Sequence, residues 1–144
     1  MSYSLDANIL VFASNTASPH YSKATAFLGG CARDPDILCL GWPTVMAYLR
    51  LTTHPTIFRQ PLTPEEAMKN VNEIISLPHV RMLSEDDKFW DAYQEVTRGQ
   101  AVRGNMVPDA HLAALLRRHG VDTLYTADAD FRRFSFLRVK NPLL

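Results

Sequence analysis

Tyr3-Ser4-Leu5-Asp6-Ala7-Asn8-Ile9-Leu10-Val11-Phe12 is the stretch on which the reading of this chain turns. It has the pattern of a buried strand running into a helix, with Asp6 and Asn8 at the junction. A carboxylate inside an apolar run is costly unless it is paired or ligated, so Asp6 marks a site before any fold is assigned. Working outward, acids recur at the same kind of boundary. Asp109 follows Val107-Pro108 and opens the helix-like run Ala110 to Leu116, and Asp128 and Asp130 close the run Thr123-Leu124-Tyr125-Thr126. In an open α/β sheet the carboxyl ends of parallel strands face one crevice, so acids delivered there from separate strands converge.

Crowded carboxylates either raise one another's pKa or capture a cation. Magnesium and manganese favour oxygen ligands and keep several waters, so two or three aspartates suffice. Asp6 and Asp109 are therefore expected as direct ligands and Asp128 as the third carboxylate. Asp130 is a further acid of the catalytic group, with Asn8 and Thr126 as accessory polar groups. A bound ion would lower the pKa of a water, orient it in line with a phosphodiester and stabilise the leaving oxygen. Each acid also has a plainer reading: Asp109 as a helix N-terminal aspartate, Asp128 and Asp130 as turn formers.

The rest of the chain alternates strand and helix signals. A helix is expected from Ser18-Pro19 to Leu28, with Ser18 as N-cap and Gly29-Gly30 as its stop. A strand at Ile37-Leu40 follows, then a helix from Gly41 to Thr53 closed by His54-Pro55. Thr63-Pro64-Glu65-Glu66 is a capping box that launches a helix to about Leu77. Val80-Leu83 is a strand, and Ser84-Glu85-Asp86-Asp87 begins a helix with Phe89, Trp90, Tyr93 and Val96 on one side. A helix from Asp109 to His119 is stopped by Gly120. Strands at Thr123–Thr126 and Leu137–Val139 complete the list. This alternation predicts a mainly parallel sheet covered on both faces.

The 144 residues read as one domain, long enough to bury about 68% of the extended-chain surface. Apolar residues at 47% and charged residues at 21% exclude a disordered chain. The start lacks a basic leader region and no apolar run approaches the length of a membrane helix, so a cytoplasmic protein is expected. Cys31 and Cys39 have no metal-binding spacing and read as free buried thiols. No nucleotide-binding glycine loop is present. Net charge is zero, yet from Arg98 onward eight basic residues face four acidic ones, three of them in the proposed metal pocket. Basic groups around an acidic centre suit a bound phosphodiester, and Arg98, Arg103, Arg117, Arg132 and Arg133 are the candidate phosphate contacts.

The segments Leu5-Asp6-Ala7-Asn8-Ile9-Leu10, Val107-Pro108-Asp109-Ala110-His111-Leu112 and Tyr125-Thr126-Ala127-Asp128-Ala129-Asp130-Phe131 resemble the three signature blocks of the PIN-domain ribonucleases. Their order and spacing are similar to those of the VapC toxins of bacterial VapBC toxin–antitoxin pairs. The resemblance implies a three-layer α/β/α domain acting as a magnesium- or manganese-dependent endoribonuclease on structured RNA such as tRNA or rRNA. It implies a homodimer held inactive by a VapB-type antitoxin, with DNA reached only indirectly through that antitoxin. Asp6, Asp109 and Asp128 match the family's metal positions, Asp130 the second aspartate of the last block, and Asn8 and Thr126 its accessory positions. The departure is Ala47, where many PIN domains have a glutamate. A catalytically weakened module that only binds RNA or protein is the competing expectation. Trp42, Met46, Tyr48 and Phe58 are expected to line a groove for the antitoxin.

Overall fold

Five strands pair in the order β3-β2-β1-β4-β5, and every pair is parallel. They are β1 (Ser2–Leu5), β2 (Ile37–Gly41), β3 (Val80–Leu83), β4 (Thr123–Tyr125) and β5 (Arg138–Lys140) in a computed structural model that describes residues 1–144. Six α-helices accompany them: α1 (Ala7–Ser14), α2 (Tyr21–Arg33), α3 (Trp42–Thr52), α4 (Pro64–Ile75), α5 (Phe89–Val96) and α6 (Met106–Arg118). The expected mainly parallel sheet is parallel throughout, because each connection between consecutive strands is a crossover, through two α-helices in the first three cases and through a short 3-10 turn between β4 and β5.

Alternation along the strands divides the core in two. Tyr3, Leu5, Leu38 and Leu40 face one side, where they pack with Leu10, Cys31, Tyr48 and Ala67 from α1 to α4. Cys39 and Leu124 face the other side and meet α5, α6, Phe131 and Phe134. Ala110, Ala113 and Ala114 of α6 are all fully buried, and such short side chains let this helix lie close to the sheet. Both cysteines are free and buried, as expected, and burial pushes both thiols above their ordinary pKa.

Local signals hold at several ends. The Thr63 hydroxyl accepts from Glu66 N at 3.1 Å and the Glu66 carboxylate accepts from Thr63 N at 3.2 Å, a complete capping box. Gly120 takes φ +71° just after α6, the left-handed conformation that glycine reaches without strain.

Four expected boundaries are corrected. Gly29-Gly30 does not stop α2, which runs on to Arg33 and thereby buries Cys31 against the sheet. The start of α2 also moves to Tyr21, because Ser18 uses its hydroxyl to accept from His20 N at 3.1 Å in a local turn. The helix expected from Ser84 begins only at Phe89, since Asp86 closes a turn onto Lys88 N at 3.1 Å. Helix α6 starts earlier, at Met106, so Pro108 and Asp109 lie inside its first turn, where a proline's missing N–H costs nothing. A short 3-10 turn, Ala129–Arg133, was not foreseen.

Candidate active site

Strands β1 and β4 are neighbours in parallel register, with Leu5 opposite Tyr125, so the next residues, Asp6 and Thr126, emerge together at the carboxyl edge of the sheet. Asp6 N donates to Tyr125 O at 3.0 Å, which extends the ladder to the site itself. Asp6 also caps α1, its Oδ1 accepting from Ala7 N at 2.7 Å.

Thr126 is the hub of the site. Its buried hydroxyl donates to Asp6 Oδ2 at 2.8 Å and accepts from Asn8 Nδ2 at 3.2 Å and from Asp128 N at 3.0 Å. Asn8 Oδ1 in turn accepts from Ala127 N at 3.5 Å. Asp128 caps the 3-10 turn by accepting from Asp130 N at 2.8 Å. The turn-forming reading of Asp128 is therefore realised, in a turn whose first N–H is tied to Thr126. Replacing Thr126 by valine keeps the shape but leaves Asp128 N and one Asp6 oxygen without this partner. A loss of about 1–3 kcal/mol in stability is expected, measured by urea unfolding, whereas Thr126→Ser retains most of it.

Asp109 comes to the same edge on the first turn of α6. Burial and then the charges of Asp128, Asp6 and Asp130 push its carboxyl up to about 6, against a smaller opposing effect of Arg133. Burial likewise raises the Asp6 carboxyl, and the charge of Asp128 adds to that, while the bonds from Thr126 and Ala7 hold it back. The charges of Asp6, Asp128 and Asp130 thus all bear on Asp109. Asp6, Asp109 and Asp128 are half-buried and Asp130 is exposed. As the side chains stand, no three acidic, histidine or cysteine groups are gathered closely enough to form a finished metal shell. The oxygen donors and the excess of negative charge nevertheless fit a hard divalent cation, and Asp6, Asp109 and Asp128 are the residues that would hold it.

The remaining expected residues divide. Arg133 belongs to the site: its charge acts on Asp109 and its Nε donates to the Asp130 carbonyl at 3.1 Å. Arg98, Arg103 and Arg132 are exposed. Arg117 lies eight residues beyond Asp109 on the same helix, roughly 12 Å along its axis, and is engaged by Glu95 at 2.8 Å and by the Phe136 ring. His111 points away from the acids, pairing with Glu85 at 3.2 Å. Helix α3 carries Ala47 and no acid at all.

The groove expected among Trp42, Met46, Tyr48 and Phe58 is corrected. Trp42 and Met46 are 41% and 53% exposed, but Tyr48 and Phe58 are core residues at 2% and 3%. Trp42 and Met46 are four apart and share a helix face, whereas Tyr48, two residues after Met46, falls on the opposite one. The Tyr48 hydroxyl is bonded to Ser14 Oγ at 2.7 Å and Asn70 Nδ2 at 3.0 Å, a tie between α1, α3 and α4 that no local pattern signalled. Phe131 was likewise missed as an anchor. It is 1% exposed directly beneath the turn that bears Asp128 and Asp130.

The family model of the PIN domain matches residues 3–137. Ribonuclease VapC48 of Mycobacterium tuberculosis is 42% identical over 142 residues, spanning 99% of this chain and 98% of the relative. The chain belongs to the VapC family of PIN-domain ribonucleases. Ribonuclease VapC37 of the same organism is 30% identical over 96% of this chain and 95% of its own. Among solved VapC-containing structures, VapBC2 from Rickettsia felis bound to a promoter DNA fragment superposes with a TM-score of 0.68 at 20% identity, covering 98% of each chain. Mycobacterium tuberculosis VapC20, described as a Sarcin-Ricin loop cleaving toxin, gives 0.66 at 17% identity over 96% of this chain and 98% of that one. These distant structures share the VapC fold. No helix of this VapC-family chain is long and apolar enough to cross a membrane.

Proposed function

We propose that this chain is the toxin of a VapBC pair, an endoribonuclease that cleaves structured RNA, tRNA or rRNA, with the aid of magnesium or manganese. The observation that carries the reading is the convergence of acids from β1, α6 and the turn after β4 on one sheet edge, with the Asp109 carboxyl raised to about 6 by its neighbours. A divalent ion, when bound, supplies charge stabilisation and an acidified water at the scissile phosphate. The protein's share is positional. Asp6, pinned by Ala7 N and the Thr126 hydroxyl, presents a fixed carboxylate, and Asn8 holds Thr126 in turn. Arg133 offsets part of the negative field, so a phosphate can approach the acids. The exposed Arg98, Arg103 and Arg132 are proposed to hold the RNA backbone.

The partners proposed are a VapB-type antitoxin and a second copy of this chain, with DNA reached only through the antitoxin. The exposed pair Trp42 and Met46 is the portion of the expected antitoxin surface that is open to a partner.

The test is cleavage of total bacterial RNA, resolved by 5′-end sequencing, in magnesium, manganese or EDTA. Discrete cuts that need metal support the reading. Silence from folded protein in both metals favours the binding module, and Ala47→Glu is then the first variant to make.

Metal binding has a readout separate from activity. The Asp109 carboxyl titrates near 6 in the native protein against an ordinary 3.8. Between those values the native state holds a proton that the unfolded state has released, so this group's contribution to stability falls as pH rises from about 4 to 6. The stability difference between wild type and Asp109→Asn in EDTA is expected to shift against the wild type over that window. At pH 7.5, a divalent ion at a hundred times its Kd adds about 2.7 kcal/mol. That corresponds to a rise of about 5–11 °C in Tm at roughly 2–4 °C per kcal/mol, and calorimetry should show it for wild type but not for Asp109→Asn.

A further inference from the structure

On the face of the sheet opposite α6, between α2 and strands β1 and β4, lies a cavity of about 280 Å³ that the nuclease reading does not use. Three aromatic rings wall it. Tyr3 and Tyr125 meet edge to face at 5.6 Å between centroids, and Phe27 tilts against Tyr125 at 4.8 Å. Tyr3 forms the floor at 6% exposure, and its buried hydroxyl has no hydrogen-bond partner. Leaving such a group unsatisfied is costly, and the neighbouring Cys31 thiol is a weak substitute. Asp34 stands at the rim; Asp36 N donates to its Oδ1 at 2.8 Å, and its Oδ2 has no partner.

The mouth is held open by Ala26 and Gly30, four residues apart on α2. Gly30 is the second of the glycines expected to end that helix. It sits instead in a helix interior, where glycine is unfavourable relative to alanine. Packing does not demand it, because a Cβ built there meets nothing within 4 Å. Its effect is to keep a side chain away from the cavity entrance.

Aromatic faces attract cations, and the Tyr125 ring already takes one, Lys140 Nζ at 5.8 Å from its centroid. Burial, and to a lesser degree the charge of Asp34, keeps both tyrosine hydroxyls neutral, so the only formal charge lining the cavity is the Asp34 carboxylate. We propose that this cavity is a binding site for an alkylguanidinium group, stacked on Phe27 and Tyr125, paired with Asp34 and donating an N–H to the orphan Tyr3 hydroxyl. A guanidinium suits it better than an ammonium, because it is planar, stacks on rings and offers a fork of donors to a carboxylate. The group belongs either to a free small molecule or to an arginine side chain of a protein.

The test is titration of the ¹⁵N-labelled full chain with butylguanidine, its neutral isostere butylurea, and the peptide acetyl-Gly-Arg-Gly-amide, following the Gly30 and Asp34 amides. Saturable shifts there are expected, with butylguanidine at least about tenfold tighter than butylurea and a similar loss on Asp34→Asn. Tighter binding of the peptide than of butylguanidine assigns a protein-borne arginine; the reverse assigns a small molecule. Gly30→Leu, which favours the helix and fills the mouth, should keep Tm and abolish the shifts. Equal binding of urea and guanidine, shifts confined to residues around Asp6, or full binding by Gly30→Leu would overturn the proposal.

Discussion

Asp6→Asn is expected to reduce RNA cleavage by at least about 10³-fold while leaving the protein as stable as the wild type or more so. The activity figure follows from losing roughly 4 kcal/mol of charge stabilisation held through this carboxylate, at 1.36 kcal/mol per decade of rate. The stability expectation follows from what Asp6 does in the fold. It caps α1 and accepts from Ala7 N at 2.7 Å, and asparagine is as good a cap as aspartate. Burial and the charge of Asp128 raise the Asp6 carboxyl, so removing its charge relieves the cluster. Cleavage assays beside calorimetry on the same preparation check both halves. A variant that loses activity and stability together would mean that Asp6 serves the fold and not the chemistry. This trade between stability and activity is common where charges are crowded for function.

Phe131→Ala is expected to cost about 3–5 kcal/mol, a fall of about 6–20 °C in Tm at roughly 2–4 °C per kcal/mol. Phe131 is 1% exposed and packs 6.2 Å from the Phe134 ring in the core shared with α6. It is also the keel of the 3-10 turn that presents Asp128 and Asp130. The turn's polar bonds, Asp130 N to Asp128 Oδ1 and Asp128 N to Thr126 Oγ1, remain possible without the ring. Their position relative to α6 does not. The variant is therefore expected to lose most of the rise in Tm that manganese gives the wild type. Should that shift survive intact, the turn is positioned by its hydrogen bonds alone.

Much of this molecule is local and could be read from residue order. The junction at Asp6, the capping box at Thr63 and the glycine stop after α6 depend only on residues a few positions apart. The family blocks around Asp6, Asp109 and Asp128 are local in the same sense. The errors came where local signals compete with burial. Gly29-Gly30 lost to the packing of Cys31, and the α3 patch was misread because Tyr48 faces the core while Met46 faces water.

By itself, the sequence determined that each of these acids stands at an element boundary, because strand and helix periods are properties of the nearby backbone. Only the tertiary structure decided that these boundaries meet. The pairing of β4 beside β1 sets Thr126 against Asp6, and the alanine face of α6 brings Asp109 to the same edge. Which strands become neighbours and which helix face docks is settled by burial across more than a hundred intervening residues, and that cooperative term leaves no mark at any single position.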